Sequence, residues 1–196
     1  AGGSWVITTV DNGGSGNYNG WSRSIGKWGR DPRIVIDSKG YVHMAYKCEI
    51  TYNSDGSRIS MEGTRYATNS PTVNALPKML TKPGVAAGWK VYILDDHTSA
   101  TGNGIDLAID FNDDSLHMTW VKQTNYYYGT NRDTEDGSWS IQRLSPASYY
   151  IFDKRTSVAV DFQGDVHIAV RYDPPGNPRG LAYFTTRGTG SKTTFV

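Results

Sequence analysis

Cysteine is nearly absent: Cys48 is the one such residue among 196. No disulfide framework can form within the chain, and no cysteine-based zinc site. Long apolar runs are missing as well, since nothing approaches the ~18–20 consecutive residues that a membrane-crossing helix requires. Neither sign of charge is in excess, with 20 Lys and Arg against 19 Asp and Glu and a net charge of +1. The basic stripe of a nucleic-acid binder is therefore lacking. Nucleic acid and membrane insertion are both set aside as partners.

What the chain has in quantity is glycine and large aromatics: 22 Gly, 13 Tyr and 6 Trp. Turn-formers mixed with aromatics favour an all-β architecture over helices. The length is enough for one or two domains with a real core. The opening "AGGSW", which lacks Met, and the composition together suggest a processed, exported protein. The expected setting is extracellular or secreted, with a bacterial cell surface as one case.

Three stretches repeat: "IDSKGYVHMAY" (36–46), "IDFNDDSLHMTW" (109–120) and "VDFQGDVHIAV" (160–170). Each carries a histidine, and His117 and His167 lie 50 residues apart. A second mark is a Trp-led strand, "SWVITTV", "GWKVYIL" and "SWSIQRL", in which Trp89 and Trp139 are again 50 apart. A third is "TRYATN", "YYYGTN" and "LAYFTT". Repeats of this length indicate one supersecondary unit used three times, with extra material in the first copy.

Inside each unit the side chains alternate with period two. Ile34, Ile36, Val42, Met44 and Tyr46 form one bulky face; Val35, His43 and Ala45 form the other. The second unit sets Leu107, Ile109, Leu116, Met118 and Trp120 against Ala108, His117 and Thr119. The third sets Val158, Val160, Val166, Ile168 and Val170 against Ala159, His167 and Ala169. Stacked sheets with a bulky face and a slotted face interlock. "DSKG" fits a three-residue hairpin loop with Gly40 in the left-handed position, which pairs Ile36 with Val42 and Val35 with His43. "DFQG" does the same; "DFNDD" is one residue longer.

With four strands per unit, a to d, and d beginning at the Trp, the chain reads as a run of antiparallel β-propeller blades. Residues 1–196 form one propeller segment: a first blade over about 32–95, a second over about 104–145 and a third over about 155–196. The third ends in "RGTGSKTTFV" without a Trp strand, so the N-terminal strand Trp5–Val10 is expected to complete it or a neighbour's blade. Three blades fall short of the usual four to eight. Either the chain belongs to a longer propeller or several copies assemble, as a closed ring of two chains or as an open filament.

Antiparallel order puts the d–a and b–c connections on one rim. Read as loops over 11–32, 95–104 and 145–156, and over 47–62, 121–125 and 171–180, they bring Tyr18, Trp21, Trp28, Tyr52, Tyr149, Tyr150, Phe152 and Tyr172 to that rim. His97 and Arg155 stand beside them. Flat aromatics next to Asn, Asp and Arg suit sugars: rings stack on C–H patches while planar polar groups bind hydroxyl pairs. The same aromatics also suit anchoring of Gly-rich loops. An insertion, 70–88, lies on the opposite rim.

"DFNDD" puts Asp110, Asn112 and Asp114 at the alternating positions that open a calcium loop, but the sixth-position Gly and twelfth-position Glu are missing. A plain turn is the better reading, and no metal or cofactor is assigned. His97, beside Asp95 and Asp96, is the one unrepeated histidine and reads as part of a solvated loop. The repeated histidines recur with the fold, as packing solutions do, and are expected to fill slots and hydrogen-bond adjacent backbone. No catalytic residue is assigned.

Together "IDSKGYVHMAY", "TRYATNS" and the Trp-led fourth strand resemble the sialidase-like (BNR or Asp-box) β-propeller repeat over most of the chain. "TEDGSW" (134–139) resembles a degenerate Asp box, with Asp and Gly adjacent. The superfamily includes glycosidases, polysaccharide lyases, lectins and non-catalytic modules, so the resemblance speaks for fold more than activity. It places Arg33 of "DPRIV" where the first of three carboxylate-binding arginines would sit in a sialidase. The chain is also similar to bacterial propeller lectins, some of which close their ring from several short chains. The first reading is thus a non-catalytic extracellular module that self-associates and binds carbohydrate or a protein partner through its rim. The second is a structural subunit assembled by strand exchange. The third is a carbohydrate-active enzyme, glycosidase or lyase, using His97 with Tyr149 or Tyr150.

Overall fold

The computed structural model describes residues 7–11, 17–18, 21–54, 57–71, 86–97, 101–132, 138–144, 155–172, 180–187 and 192–195. For 17–18, 21–28, 49–54, 57–62, 93, 96–97, 101–103, 172 and 192–195 the description is of the backbone. Among these residues the regular structure is all strand, in three antiparallel sheets, none closed on itself. The first sheet runs β1 (Asn17–Tyr18), β2 (Trp21–Ile36), β3 (Val42–Ser54), β4 (Ser57–Thr68) and β5 (Lys90–His97) in simple order. The second is β6 (Thr101–Ile109), β7 (Leu116–Lys122), β8 (Asn125–Thr130) and β9 (Ser140–Arg143). The third is β10 (Thr156–Val160), β11 (Val166–Tyr172), β12 (Gly180–Thr185) and β13 (Lys192–Phe195).

The first hairpin of every unit has the register its turn chemistry demands. Ile36 pairs with Val42 and Val35 with His43; Ala108 pairs with His117; Ala159 pairs with His167. Gly40 and Gly164 take φ of 84° and 83°, and each donates its N–H to the carbonyl of the loop's leading aspartate, Asp37 or Asp161, at 3.0 Å. In the longer second turn Asp114 stands at φ 59° and its N–H reaches the Asp110 carbonyl at 2.8 Å.

The sheets stack in chain order, bulky face against slotted face. Leu107, Ile109, Leu116, Met118 and Trp120 of the second sheet pack on Ala45, Tyr66, Tyr92 and Leu94 of the first. Val158, Val166, Ile168 and Val170 of the third pack on Val121, Tyr126 and Tyr128 of the second. Nonpolar burial of this kind, at about 25 cal/mol per Å², is the main force holding the stack. The three a–b turns share one edge, because Ser38 donates to Asp114 from N–H and Oγ at 2.8 and 2.6 Å, and Arg132 donates to the Gly164 carbonyl at 2.7 Å.

Three expectations are corrected. The fourth strand of the third sheet is β13, paired to β12 through Ala182–Phe195 and Thr185–Lys192, so the N-terminal strand does not complete it. Of Trp5–Val10 the described part, Ile7–Val10, is not strand; Val10 instead packs on the outer face of the first sheet with Tyr46, Ala67 and Val91. The reason is the partners it finds there: the Val10 carbonyl accepts the Ala86 N–H at 3.2 Å, and the Asp11 carboxylate accepts from Tyr46 Oη at 2.8 Å.

The second correction concerns the connections over 11–32 and 47–62, which are largely strand. β3 and β4 pair continuously from His43–Thr68 to Ser54–Ser57. The ladder runs through polar but β-branched and aromatic sequence, and the residues between its ends, Asp55 and Gly56, lie outside the described residues. The first unit accordingly begins well before residue 32 and ends at His97, and the second begins at Thr101. The third correction, to the histidines' partners, belongs to the site. Of the insertion over 70–88, residues 72–85 lie outside the described residues.

Candidate functional site

Two places are candidates for a site: the repeated histidines, and the edge of the stack opposite the a–b turns.

Each histidine sits on its slotted face beside a tyrosine from the next strand of its own sheet, β4, β8 or β12. The register makes the pair a diagonal: His43 lies opposite Thr68, and Tyr66 lies opposite Ala45. His117 with Tyr128, and His167 with Tyr183, have the same relation, across from Thr119 and Ala169. Diagonal neighbours are within reach of long aromatic side chains, and the small residue opposite leaves the ring its room. The geometry is nearly identical three times, with ring centroids 6.0, 6.0 and 5.9 Å apart and planes 14°, 17° and 15° from parallel. The slot is therefore filled from within the sheet.

Both ring nitrogens are engaged. Tyr66 Oη donates to His43 Nδ1 at 2.6 Å, and the Nε2 proton points to Asp37 Oδ2 at 3.3 Å. In the second unit Tyr128 Oη lies 2.7 Å from Nδ1 and Ser115 Oγ 3.0 Å from Nε2. In the third, Tyr183 Oη lies 2.5 Å from Nδ1 and Asp161 Oδ2 3.1 Å from Nε2. An ionised carboxylate can only accept, so Asp37 and Asp161 select the Nε2–H tautomer of His43 and His167 and leave Nδ1 to accept from the tyrosine. Burial pushes the Tyr66 and Tyr128 phenols up, so both keep their proton. Burial also holds His43 below its ordinary value, against the pull of Asp37. His117 is pushed down to about 4 by burial first and then by the Arg132 charge. The partners are side chains, not the expected backbone, because the sheet's own ladder already uses the neighbouring carbonyls.

The same aspartate serves turn and histidine. Asp37 Oδ1 accepts the N–H groups of Lys39 and Tyr41 at 3.0 and 2.7 Å, and Asp161 Oδ1 accepts those of Gln163 and Asp165, both at 2.9 Å. In the second unit Asp110 turns its other oxygen to the Arg132 guanidinium, and Ser115 takes over the histidine. Asp110 and Asp114 thus point to Arg132 and Ser38, and the three alternating residues of "DFNDD" do not converge on one point. Among the described residues no group of three or more His, Cys, Asp and Glu is arranged to hold a metal ion.

At the opposite edge, the first sheet outgrows the others: β3 has 13 residues against 7 in β7 and in β11. The six extra residues of β3 carry the strand about 20 Å further at ~3.3 Å per residue. Register brings three of the candidate residues together on this extension: Tyr18 pairs with Trp21 between β1 and β2, and Tyr52 pairs with Arg23 between β3 and β2. Trp28 lies further along β2, past a register shift. His97 is the last residue of β5, opposite Glu62 on β4, in strand and not in a loop. Tyr172 ends β11 opposite Gly180, and Arg155 is exposed just before β10. Tyr149, Tyr150 and Phe152 lie outside the described residues. Arg33 is 46% exposed and its Nε is held by Asp106 at 3.2 Å, which also accepts the Val158 N–H.

No family model, no curated protein and no solved structure matches the chain.

Proposed function

We infer that the three stacked sheets are propeller blades and that the chain is a non-catalytic module, exported from the cell, which binds carbohydrate through the edge opposite its a–b turns. The observation that carries this reading is the long extension of the first sheet, which sets Tyr18, Trp21 and Tyr52 on adjoining strands beside Arg23. Aromatic faces on a rigid strand platform stack on sugar rings, and a guanidinium pairs with hydroxyls. The histidines support the non-catalytic part: with both nitrogens held inside each sheet, the ring has no lone pair or proton to offer a substrate. A glycan array, followed by calorimetry with the best ligand, tests it. Trp21→Ala and Tyr52→Ala should each weaken binding at least tenfold while leaving the melting temperature in place. Unchanged binding in both variants, or turnover of a polysaccharide, refutes the reading.

A further inference from the structure

Two phenylalanines stand where the fold has no use for them. Phe111 and Phe162 take the second position of the a–b turns of the second and third sheets, and they are 76% and 85% exposed. Ser38 holds that position in the first turn, so the turn itself does not require a large apolar side chain. The other strongly exposed large apolar side chains among the described residues are all aliphatic.

The two rings are carried on turns that are rigid and tied to each other. Asp110 Oδ1 accepts the Asn112 N–H at 2.8 Å, and Asp161 Oδ1 accepts those of Gln163 and Asp165 at 2.9 Å. Asn112 Nδ2 donates to the Phe162 carbonyl at 3.3 Å, which joins one turn to the next. At these exposures the pair offers roughly 250–400 Å² of apolar surface. That is the size of the largest apolar patch on an ordinary folded chain, and such patches commonly bind something. A ring held on a fixed backbone loses little freedom on contact, which favours affinity.

Charge around the pair is one-sided. Asp37, Asp110, Asp113, Asp114, Asp161 and Asp165 belong to the three turns, against Lys39 within them and Arg132 and Arg187 beside them. The edge thus has a surplus of carboxylate on a chain whose net charge is +1. Two of the three cations are turned inward: Arg132 to Asp110 and Asp113, and Arg187 to Asp165 and Gln163. Asp113 lies two residues from Phe111 with its side chain 48% exposed.

We propose that the a–b turn edge docks a basic segment of another protein, whose apolar side chains cover Phe111 and Phe162 and whose Lys or Arg meets Asp113. Complementary charge steers such a segment to the edge and the phenyl pair anchors it. An anionic lipid surface would be repelled by the same carboxylates. The edge lies across the stack from the surface proposed for carbohydrate, and the contact does not depend on that reading.

Random peptides displayed on phage, selected on the whole chain and then synthesised, test the proposal by calorimetry. Enriched peptides should combine apolar residues with Lys or Arg, and raising the salt should weaken them several-fold. The double variant Phe111→Ser, Phe162→Ser copies the first turn, so its circular dichroism should be unchanged while peptide affinity falls at least tenfold. Asp113→Asn keeps an acceptor for the Ser115 N–H; it should weaken the same peptides a few-fold and flatten their salt dependence. Failure of any peptide to enrich, enrichment of peptides without basic residues, or affinity indifferent to the phenyl pair overturns the proposal. So does adsorption to phosphatidylcholine vesicles, or retention of a glycan on the array, that is lost in the double phenylalanine variant, since the pair would then serve a lipid or a sugar.

Discussion

Gly40 and Gly164 are a matched pair that separates the cost of a turn from the cost of a sheet contact. Both close the same three-residue loop, at φ 84° and 83°. An alanine at either position bears the left-handed penalty of about 1–2 kcal/mol, partly offset by about 0.4–1 kcal/mol from a less free unfolded chain. Around Gly40 nothing lies within 4 Å of an added Cβ. Around Gly164 that Cβ would meet Asp110 Oδ2 at 2.8 Å and Arg132 Nη2 at 3.2 Å. The carboxylate has little freedom to retreat: it is 2% exposed, paired with Arg132, and holds the Asn112 N–H at 2.8 Å. Overpacking a rigid site adds about 1–3 kcal/mol. Gly40→Ala should therefore cost about 1 kcal/mol and Gly164→Ala about 2–4 kcal/mol, read from urea unfolding followed by tryptophan fluorescence. In an Asp110→Ala background the surplus at Gly164 should shrink, since the closer of the two contacts is gone and Arg132 loses the partner that holds it there. Equal costs at the two glycines, or a surplus undiminished without Asp110, would refute the account of how the second and third sheets meet.

The histidine networks carry two further predictions. Tyr128→Phe removes the donor to a fully buried Nδ1 and should cost about 1–3 kcal/mol in urea unfolding, whereas Tyr183→Phe should cost less, because the His167 side chain is 24% exposed and water can replace the phenol. His117 has a folded value of about 4 against 6.5 unfolded, so its contribution is complete above pH 6.5 and is lost as pH falls toward 4. The loss, on the order of 2–3 kcal/mol from this residue, should appear in melting temperatures taken across that range, and His117→Gln should flatten the profile. His43, shifted in the same direction by burial, adds to the same slope.

Much of the architecture was legible in residue order because period two and turn chemistry act locally. The alternation of Ile34, Ile36, Val42 and Met44 against Val35, His43 and Ala45 determined the faces, and "DSKG" with Gly40 determined the pairing of Ile36 with Val42. The repeat interval marked three units; four strands each holds for the second and third sheets, while the first has a fifth, the two-residue β1. The His–Tyr pairs were within reach of the same logic. Tyr66, Tyr128 and Tyr183 stand in the third repeated mark, and the hairpin register makes each a diagonal neighbour of its histidine.

What residue order left open was decided by contacts between elements far apart in the chain. Whether polar, aromatic sequence such as "EITYNS" becomes loop or strand depends on a partner, and β4 supplies one through the full length of β3. Asp37 and Asp110 open corresponding turns, yet one holds a histidine and the other holds Arg132, whose guanidinium also reaches across to the Gly164 carbonyl of the third sheet. The place of the N-terminal run followed the same rule. Its sequence names it a fourth strand, but only the packing of Val10 and Asp11 against Tyr46 shows which sheet it lies on. Alternation and turns are properties of a few neighbouring residues; the choice among equivalent faces is a property of the assembled stack.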